Sequence, residues 1–179
     1  MSAASDPGLL YTALMLRKLH ELRSFGRVLD AGTGGRYSAV LAEHLPGAVW
    51  IGVEAWAPVL GELRLRRREG RFECADIRIA AASAQPAGVA LALFEGVFEH
   101  LAPEDGLALA GAWLARSELV LASLPAALPV AAALPGLLSR FVVGGNALCF
   151  LSADPGRARQ VVQLQGVIPG IVQRMTEGA

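Results

Sequence analysis

Short apolar runs alternate with amphipathic stretches along the middle of the chain, and the two patterns predict different elements. Five apolar runs predict buried strands, at residues 27–31, 48–54, 71–75, 89–94 and 118–123. The stretches between them predict helices at residues 37–45, 58–70, 79–84 and 103–115. Strands that alternate with helices in this way form a parallel α/β sheet with helices on both of its faces.

A helix is predicted before the first strand. Asp6 and Pro7 are typical of a helix start, because a carboxylate caps free backbone N–H groups and proline fits the first helical position. The helix should run to about Arg23, and Tyr11 on it is predicted to be a core or rim residue. Its predicted apolar side consists of Leu10, Leu14, Met15, Leu19 and Leu22.

Weaker patterns follow the fifth strand. Prolines predict short, broken helices over residues 126–138, and a glycine-rich turn at 144–146 predicts a hairpin. The two strands of that hairpin are expected at residues 141–143 and 147–151. Asp154 and Pro155 predict another helix start, and the tail from Gly166 carries no clear pattern.

Composition limits the class of protein. A chain of 179 residues is expected to form one domain, 1–179, with a sizeable core. Its 16 basic and 16 acidic residues balance, so neither nucleic acid nor an anionic membrane is an expected partner. The uncharged run at 119–139 contains three prolines, which argues against a membrane span. Cys74 and Cys149 lack metal-site spacing, and with no secretion signal at the N-terminus a cytoplasmic location is expected.

Acidic residues end three consecutive predicted strands. Asp30, Glu54 and Asp76 follow the first, second and third strands, at spacings of 24 and 22 residues. Since parallel sheets bind ligands outside the carboxyl ends of their strands, these carboxylates are expected to meet at one site. A glycine-rich loop, residues 32–35, follows Asp30 and leads into the next predicted helix, as in nucleotide-type sites.

The loop distinguishes two kinds of ligand. A dinucleotide site needs a third glycine where this chain has Tyr37, and Asp30 would repel a pyrophosphate. S-adenosylmethionine has no phosphate and carries an ammonium and a sulfonium, which suit an acidic strand end. The residues therefore favour the methyl donor over a nicotinamide dinucleotide.

The segment at 28–35, VLDAGTGG, resembles the first motif of the class I S-adenosylmethionine-dependent methyltransferases, D/E-x-G-x-G-x-G. It matches at Asp30, Gly32 and Gly34, and departs where Arg36 replaces the last glycine. The resemblance implies a Rossmann-like, seven-stranded, mostly parallel sheet whose last strand is antiparallel. It also implies S-adenosyl-L-methionine as the cofactor.

The resemblance also implies which residues hold the donor. Glu54 would accept hydrogen bonds from the ribose hydroxyls, a role that its spacing from Asp30 also favours. Asp76 would accept from the adenine amine, and Ile77 would pack on the ring. The full predicted donor site consists of Asp30, Ala31, Gly32, Thr33, Gly34, Glu54, Ala55, Asp76, Ile77 and Phe94.

Two catalytic candidates follow the fourth predicted strand. The stretch at 95–101, EGVFEHL, is similar to the strand-then-v-l-E-H-l pattern of the same family. Glu95 and, second to it, His100 are candidate bases for an acceptor that must lose a proton. His100 has an alternative role, in which it hydrogen-bonds the backbone at a helix start. A small-molecule acceptor is expected, because the chain has no evident substrate domain.

Two other functions stay open at this point. A protein of this fold could bind the donor or a protein partner without catalysis, because Arg36 stands in the glycine loop. Ala90 also stands where many members of the family carry an acid. A nicotinamide-dependent oxidoreductase comes third, disfavoured by Asp30 and Tyr37. The sequence does not indicate the oligomeric state.

Overall fold

A single seven-stranded sheet forms the centre of the computed structural model, which describes residues 6–32, 38–58, 71–82, 88–143 and 145–177. Its strands lie in the order β3-β2-β1-β4-β5-β7-β6. The strands are β1 (Arg27–Ala31), β2 (Val49–Glu54), β3 (Arg71–Cys74), β4 (Leu91–Glu95), β5 (Leu119–Pro125), β6 (Leu137–Val143) and β7 (Asn146–Leu151). The strand β1 therefore lies inside the sheet, and the chain crosses over from β3, at the edge beyond β2, to β4 on the other side of β1.

The five strands from β1 to β5 pair in parallel, and β7 runs antiparallel to both of its neighbours. This arrangement confirms the predicted fold class, including the antiparallel last strand. The strand β7 lies between β5 and β6, so the hairpin folds back into the sheet.

Helices cover both faces of the sheet and enclose two buried clusters. The helices are α1 (Pro7–Leu22), α2 (Ser38–Glu43), α3 (Ile77–Ala82), α4 (Pro103–Leu114), α5 (Val130–Ala133), α6 (Pro155–Gln165) and α7 (Ile168–Glu177), with a 3₁₀ helix at Phe98–His100. One cluster includes residues of α3, α4 and α5, and the other includes residues of α1, α2, α6 and α7. Alternate strand residues supply the two clusters, as the period of a strand requires. In the part of the chain described, no helix is long and apolar enough to cross a membrane.

Helix α1 begins as predicted. The Asp6 side chain accepts hydrogen bonds from the backbone N–H groups of Gly8 and Leu9, and Pro7 takes the first helical position. The predicted buried face is partly wrong, because Leu22 is 59% exposed whereas Leu9 and Leu16 are buried. Tyr11 is a core residue, fully buried with its ring stacked on Phe141 at a centroid distance of 4.0 Å.

Differences from the predicted elements lie mainly after β5. Residues 137 and 138 were expected in broken helices, but they begin β6, because pairing with β7 outweighs the local helix signal. The unassigned tail forms α7, which contributes Ile168 and Val172 to the buried cluster beneath α1. Most of the helix predicted at 58–70 lies outside the described residues.

A buried arginine joins three elements on the α1 face. Arg157 of α6 is fully buried, and its Nε donates to the Glu118 carboxylate at 3.1 Å. Its Nη1 donates to the carbonyl oxygen of Leu19 at 2.9 Å, and its Nη2 donates to that of Arg23 at 2.6 Å. The guanidinium also lies 4.3 Å from the centre of the Phe25 ring. Burial lowers the pKa of Arg157, and Glu118 opposes that shift. The contacts fix the end of α1 against α6 and the start of β5.

Replacement of this arginine should destabilise the fold strongly. Arg157→Met keeps an apolar stem but removes the donors to Glu118 and to two carbonyl groups, so unfolding free energy should fall by about 3 kcal/mol. The matched control is Arg159→Met, which makes the same change at an exposed position of the same helix. Urea denaturation measures both variants, and equal midpoints would contradict the anchoring role.

Candidate functional site

A cleft of about 550 Å³ lies outside the carboxyl ends of β1 to β4. Each of these strands contributes a residue at or just after its end, with Gly32 after β1, Glu54 on β2, Asp76 after β3 and Glu95 on β4. The sequence-predicted residues that line the cleft are Gly32, Glu54, Ala55, Asp76, Ile77, Glu95 and His100. The geometry thus brings together residues from four separate parts of the chain.

Parallel pairing explains why these residues meet. Ala31, the last residue of β1, is the register partner of Val53 on β2 and of Phe94 on β4. Glu54 in turn pairs with Cys74, the last residue of β3. Because neighbouring parallel strands end level with one another, the residues that follow them share one edge of the sheet.

Gly32 is required at the point where β1 ends. Its φ angle is 71°, in the left-handed region that favours glycine, and its N–H donates to the Val53 carbonyl at 2.9 Å. A Cβ at this position would lie 2.9 Å from the Glu95 carbonyl oxygen and 3.1 Å from Cγ2 of Val97. The missing side chain therefore leaves room for the end of β4 to pack against the end of β1.

Glu54 is oriented by the backbone that follows it. Its Oε1 accepts a hydrogen bond from the N–H of Trp56 at 3.0 Å, and no described residue donates to Oε2. Trp56 also lines the cleft, and 64% of this residue is exposed. Trp56 is not among the residues predicted from the sequence, although a tryptophan two residues after a strand-end acid was available as a signal.

Asp76 is held by Arg78, two residues further along the chain. Oδ1 of Asp76 accepts from the Arg78 backbone N–H at 2.8 Å, and both carboxylate oxygens accept from the Arg78 guanidinium, with Nε at 3.0 and 3.1 Å. These hydrogen bonds hold the pKa of Asp76 below its usual value. The carboxylate therefore stays ionised at the wall of the cleft, beside the buried Ile77.

The remaining predicted donor residues lie elsewhere. Asp30 is only 2% exposed and, with Phe94, lines a smaller cavity next to the cleft. Ala31 is buried in the core and lines neither space. Thr33 and Gly34 lie outside the described residues.

Glu95 and His100 stand on the two sides of a tight turn. Glu95 ends β4 opposite Ser123 of β5, and Gly96 follows it with a φ angle of 65°. The chain then enters the 3₁₀ helix, and the exposed His100 side chain lines the cleft. Its ring forms no hydrogen bond to the described backbone. Among the described residues, no group of three or more His, Cys, Asp or Glu side chains could hold a metal ion.

The sheet and its helices resemble those of solved methyltransferase structures. The bifunctional kinase-methyltransferase WbdD matches with a TM-score of 0.61 and 18% identity, over 81% of this chain and 39% of WbdD. Magnesium protoporphyrin IX methyltransferase (ChlM) from Synechocystis PCC 6803, solved with bound SAM, matches with a TM-score of 0.59 and 14% identity, over 80% of this chain and 78% of ChlM. The chain has the class I methyltransferase fold.

A third structure agrees with this methyltransferase fold. The apo form of the S-adenosylmethionine-dependent methyltransferase SibL matches with a TM-score of 0.58 and 18% identity, over 82% of this chain and 55% of SibL. The chain spans about two fifths of the length of WbdD. No protein-family model and no curated protein matches the sequence. At these identities the likeness shows the fold alone.

The geometry of Gly32 predicts a large effect for a single methyl group. Gly32→Ala should destabilise the fold by a left-handed backbone cost of about 1–2 kcal/mol plus about 1–3 kcal/mol for displacing the end of β4. Gly47→Ala is the control, because Gly47 has a φ angle of 79° and open space around its Cβ position. Thermal or urea unfolding compares them. Equal losses would mean that the contact with Glu95 does not matter.

Proposed function

We propose that the protein is an S-adenosylmethionine-dependent methyltransferase with a small-molecule acceptor. One observation carries the proposal. The acidic residues Glu54, Asp76 and Glu95 line one cleft together with Gly32, at the carboxyl edge of a sheet with the methyltransferase fold. Ligands of open α/β sheets bind at this edge, and a donor that bears two positive charges and no phosphate suits an acidic site.

The cleft has room and polar groups for such a donor. Its volume of about 550 Å³ is in the range of small-molecule sites, and Gly32 is one of its lining residues. Oε2 of Glu54 would accept from a ribose hydroxyl while Oε1 stays on the Trp56 backbone. Asp76 would accept from the adenine amine in place of one of its hydrogen bonds from the exposed Arg78 guanidinium, which could turn away into solvent.

Catalysis would rest mainly on position. S-adenosylmethionine supplies a methyl group on a sulfonium, which departs as neutral S-adenosylhomocysteine when the acceptor's lone pair forms the new bond. The residues of the cleft would hold the two partners in line, an effect worth roughly 7–11 kcal/mol at best. Glu95 would take the proton of an acceptor that must lose one, and His100 is the second candidate for that role.

The solved neighbours support a methyl donor of this kind. ChlM was solved with SAM, and the plantazolicin methyltransferase BpumL, with a TM-score of 0.52 and 16% identity over 65% of this chain and 46% of BpumL, was solved with SAH. We place the reaction in the cytoplasm, where Cys74 and Cys149, both free thiols, would stay reduced. The balanced charge argues against nucleic acid and membrane partners.

A second function is donor binding without methyl transfer. Ala90, where many methyltransferases of this class carry an acid, precedes the amino end of β4 and donates its N–H to the Arg27 carbonyl at the start of β1, so it lies at the edge of the sheet opposite the cleft and does not distinguish the two functions. A protein of that kind would use Glu54 and Asp76 but would not depend on the charge of Glu95. The two functions are therefore separated by variants at Glu54 and Glu95.

Loss of Glu54 should weaken donor binding. Glu54→Ala removes the carboxylate oxygen that would accept from the ribose, so S-adenosylhomocysteine should bind about 1.5–3 kcal/mol more weakly, roughly tenfold or more in Kd. Isothermal calorimetry measures both proteins. Glu104→Ala, at an exposed site outside the cleft, is the control and should bind as the wild type does. Normal binding by Glu54→Ala would remove Glu54 from the donor site.

Neutralisation of Glu95 should separate catalysis from binding. Glu95→Gln keeps the shape of the side chain but removes the base, so turnover of an acceptor that loses a proton should fall about 10²–10⁴-fold. Affinity for S-adenosylhomocysteine should stay within a few-fold. Methyl transfer from radiolabelled donor and calorimetry provide the two readouts. If Glu95 only caps the 96–100 turn, stability and affinity will instead fall together.

A further inference from the structure

A groove lies between helices α3 and α4, on the face of the sheet opposite to α1. Its volume is about 310 Å³, which is in the range of small-molecule sites. The two helices supply small and apolar side chains to its floor, namely Ala81, Ala108, Leu109 and Ala112. Because three of these four residues are alanines, the floor leaves room for an aliphatic chain.

The positive charge at one end of this groove is already balanced. Arg78 of α3 lies there and also lines the cleft. Its guanidinium donates to both carboxylate oxygens of Asp76, and its Nη1 lies 3.8 Å from Oδ2 of Asp105. One cation thus faces two carboxylates at this end, so an anionic ligand group gains little there.

The other end of the groove carries a cation without a carboxylate partner. Arg116 stands just after α4 and forms no ion pair with any residue that the structure describes. Its Nη1 is buried and has no hydrogen-bond acceptor within the same parts of the chain. The guanidinium carbon lies 5.7 Å from the centre of the Trp113 ring, which attracts the cation but supplies no oxygen acceptor. Since a buried donor without an acceptor is costly, this nitrogen indicates an acidic ligand group at this end.

We propose that the groove between α3 and α4 is a second binding site, which takes a monocarboxylate with an unbranched aliphatic chain. The carboxylate would accept hydrogen bonds from Arg116, and the chain would lie along the alanine floor towards Arg78. Along α4, Asp105 and Arg116 are separated by about 16 Å, because each helical residue advances the chain by about 1.5 Å. That length suits an extended chain better than a compact group.

This second site is independent of the proposed function. Arg116 and the alanine floor line the groove and take no part in the cleft. A test of the groove and a test of the methyl donor therefore succeed or fail separately.

Methyl-detected NMR on the full chain, labelled at alanine, tests this site. Octanoate is titrated at neutral pH, where it is ionised, with octanol and octylamine as probes of matched chain length. We expect octanoate to shift the methyl signals of Ala81, Ala108 and Ala112 saturably, and to leave in place those of Ala55 and Ala75, which line the cleft. Octanol should bind about tenfold more weakly, and octylamine more weakly still, because neither can accept as an anion from Arg116.

Two variants separate the charge from the floor. Arg116→Gln should weaken octanoate about tenfold and leave octanol unchanged, because it removes the charge but keeps a polar side chain. Arg159→Gln, the same change at an exposed position of α6, is the control and should bind octanoate as the wild type does. Ala108→Leu, also at an exposed position, should fill the groove and weaken octanoate and octanol alike, each at least about fivefold. Urea denaturation verifies that the variants are folded.

Four results would overturn the inference. If octanoate shifts none of the three groove signals at up to about 10 mM, the groove is ordinary helix packing. Shifts confined to Ala55 and Ala75 would place octanoate in the cleft instead. Equal binding of octylamine, or of octanoate by Arg116→Gln, would remove the carboxylate from Arg116. Normal octanoate binding by Ala108→Leu would show that the chain does not lie between α3 and α4.

Discussion

The register of the central parallel strands is the constraint on which the rest of the site depends. Ala31 is paired with β2 on one side and β4 on the other, so the ends of three strands are level. Gly32 then hydrogen-bonds to Val53 and leaves no side chain between β1 and the end of β4. A shift of one residue would turn every following side chain to the opposite face and disperse the acids. Backbone pairing, rather than contacts among the acids, brings Glu54, Asp76 and Glu95 together.

Three carboxylates at one edge repel one another, and the fold offsets this in part. Arg78 pairs with Asp76 and keeps it ionised, and the backbone N–H of Trp56 donates to Glu54. A cationic ligand would supply further compensation, so the same charges that cost stability favour an S-adenosylmethionine-type donor. Arg157 fixes the end of α1 against α6 and the start of β5. The architecture thus separates the cleft from a smaller cavity that Thr12 lines.

Periodicity and strand-end acids were sufficient to predict the fold class and most of the cleft, because both depend on local sequence and parallel pairing. Glu54 and Asp76 stand where the spacing predicted them. Arg78 and Trp56 were missed, because their contribution depends on where the chain turns after each strand. The extension of β6 to residues 137 and 138 was not predicted, because these residues become a strand only by pairing with β7.

Ligand-induced stabilisation tests the central claim most directly, because it asks whether this edge of the sheet binds the methyl donor. Thermal unfolding of the wild-type protein would be compared with S-adenosylhomocysteine and with NADH. At a ligand concentration about 100 times its Kd, S-adenosylhomocysteine should add ~2.7 kcal/mol to the unfolding free energy and raise the Tm, while NADH should leave it unchanged. An unchanged Tm at millimolar S-adenosylhomocysteine, or an increase with NADH instead, would contradict the account.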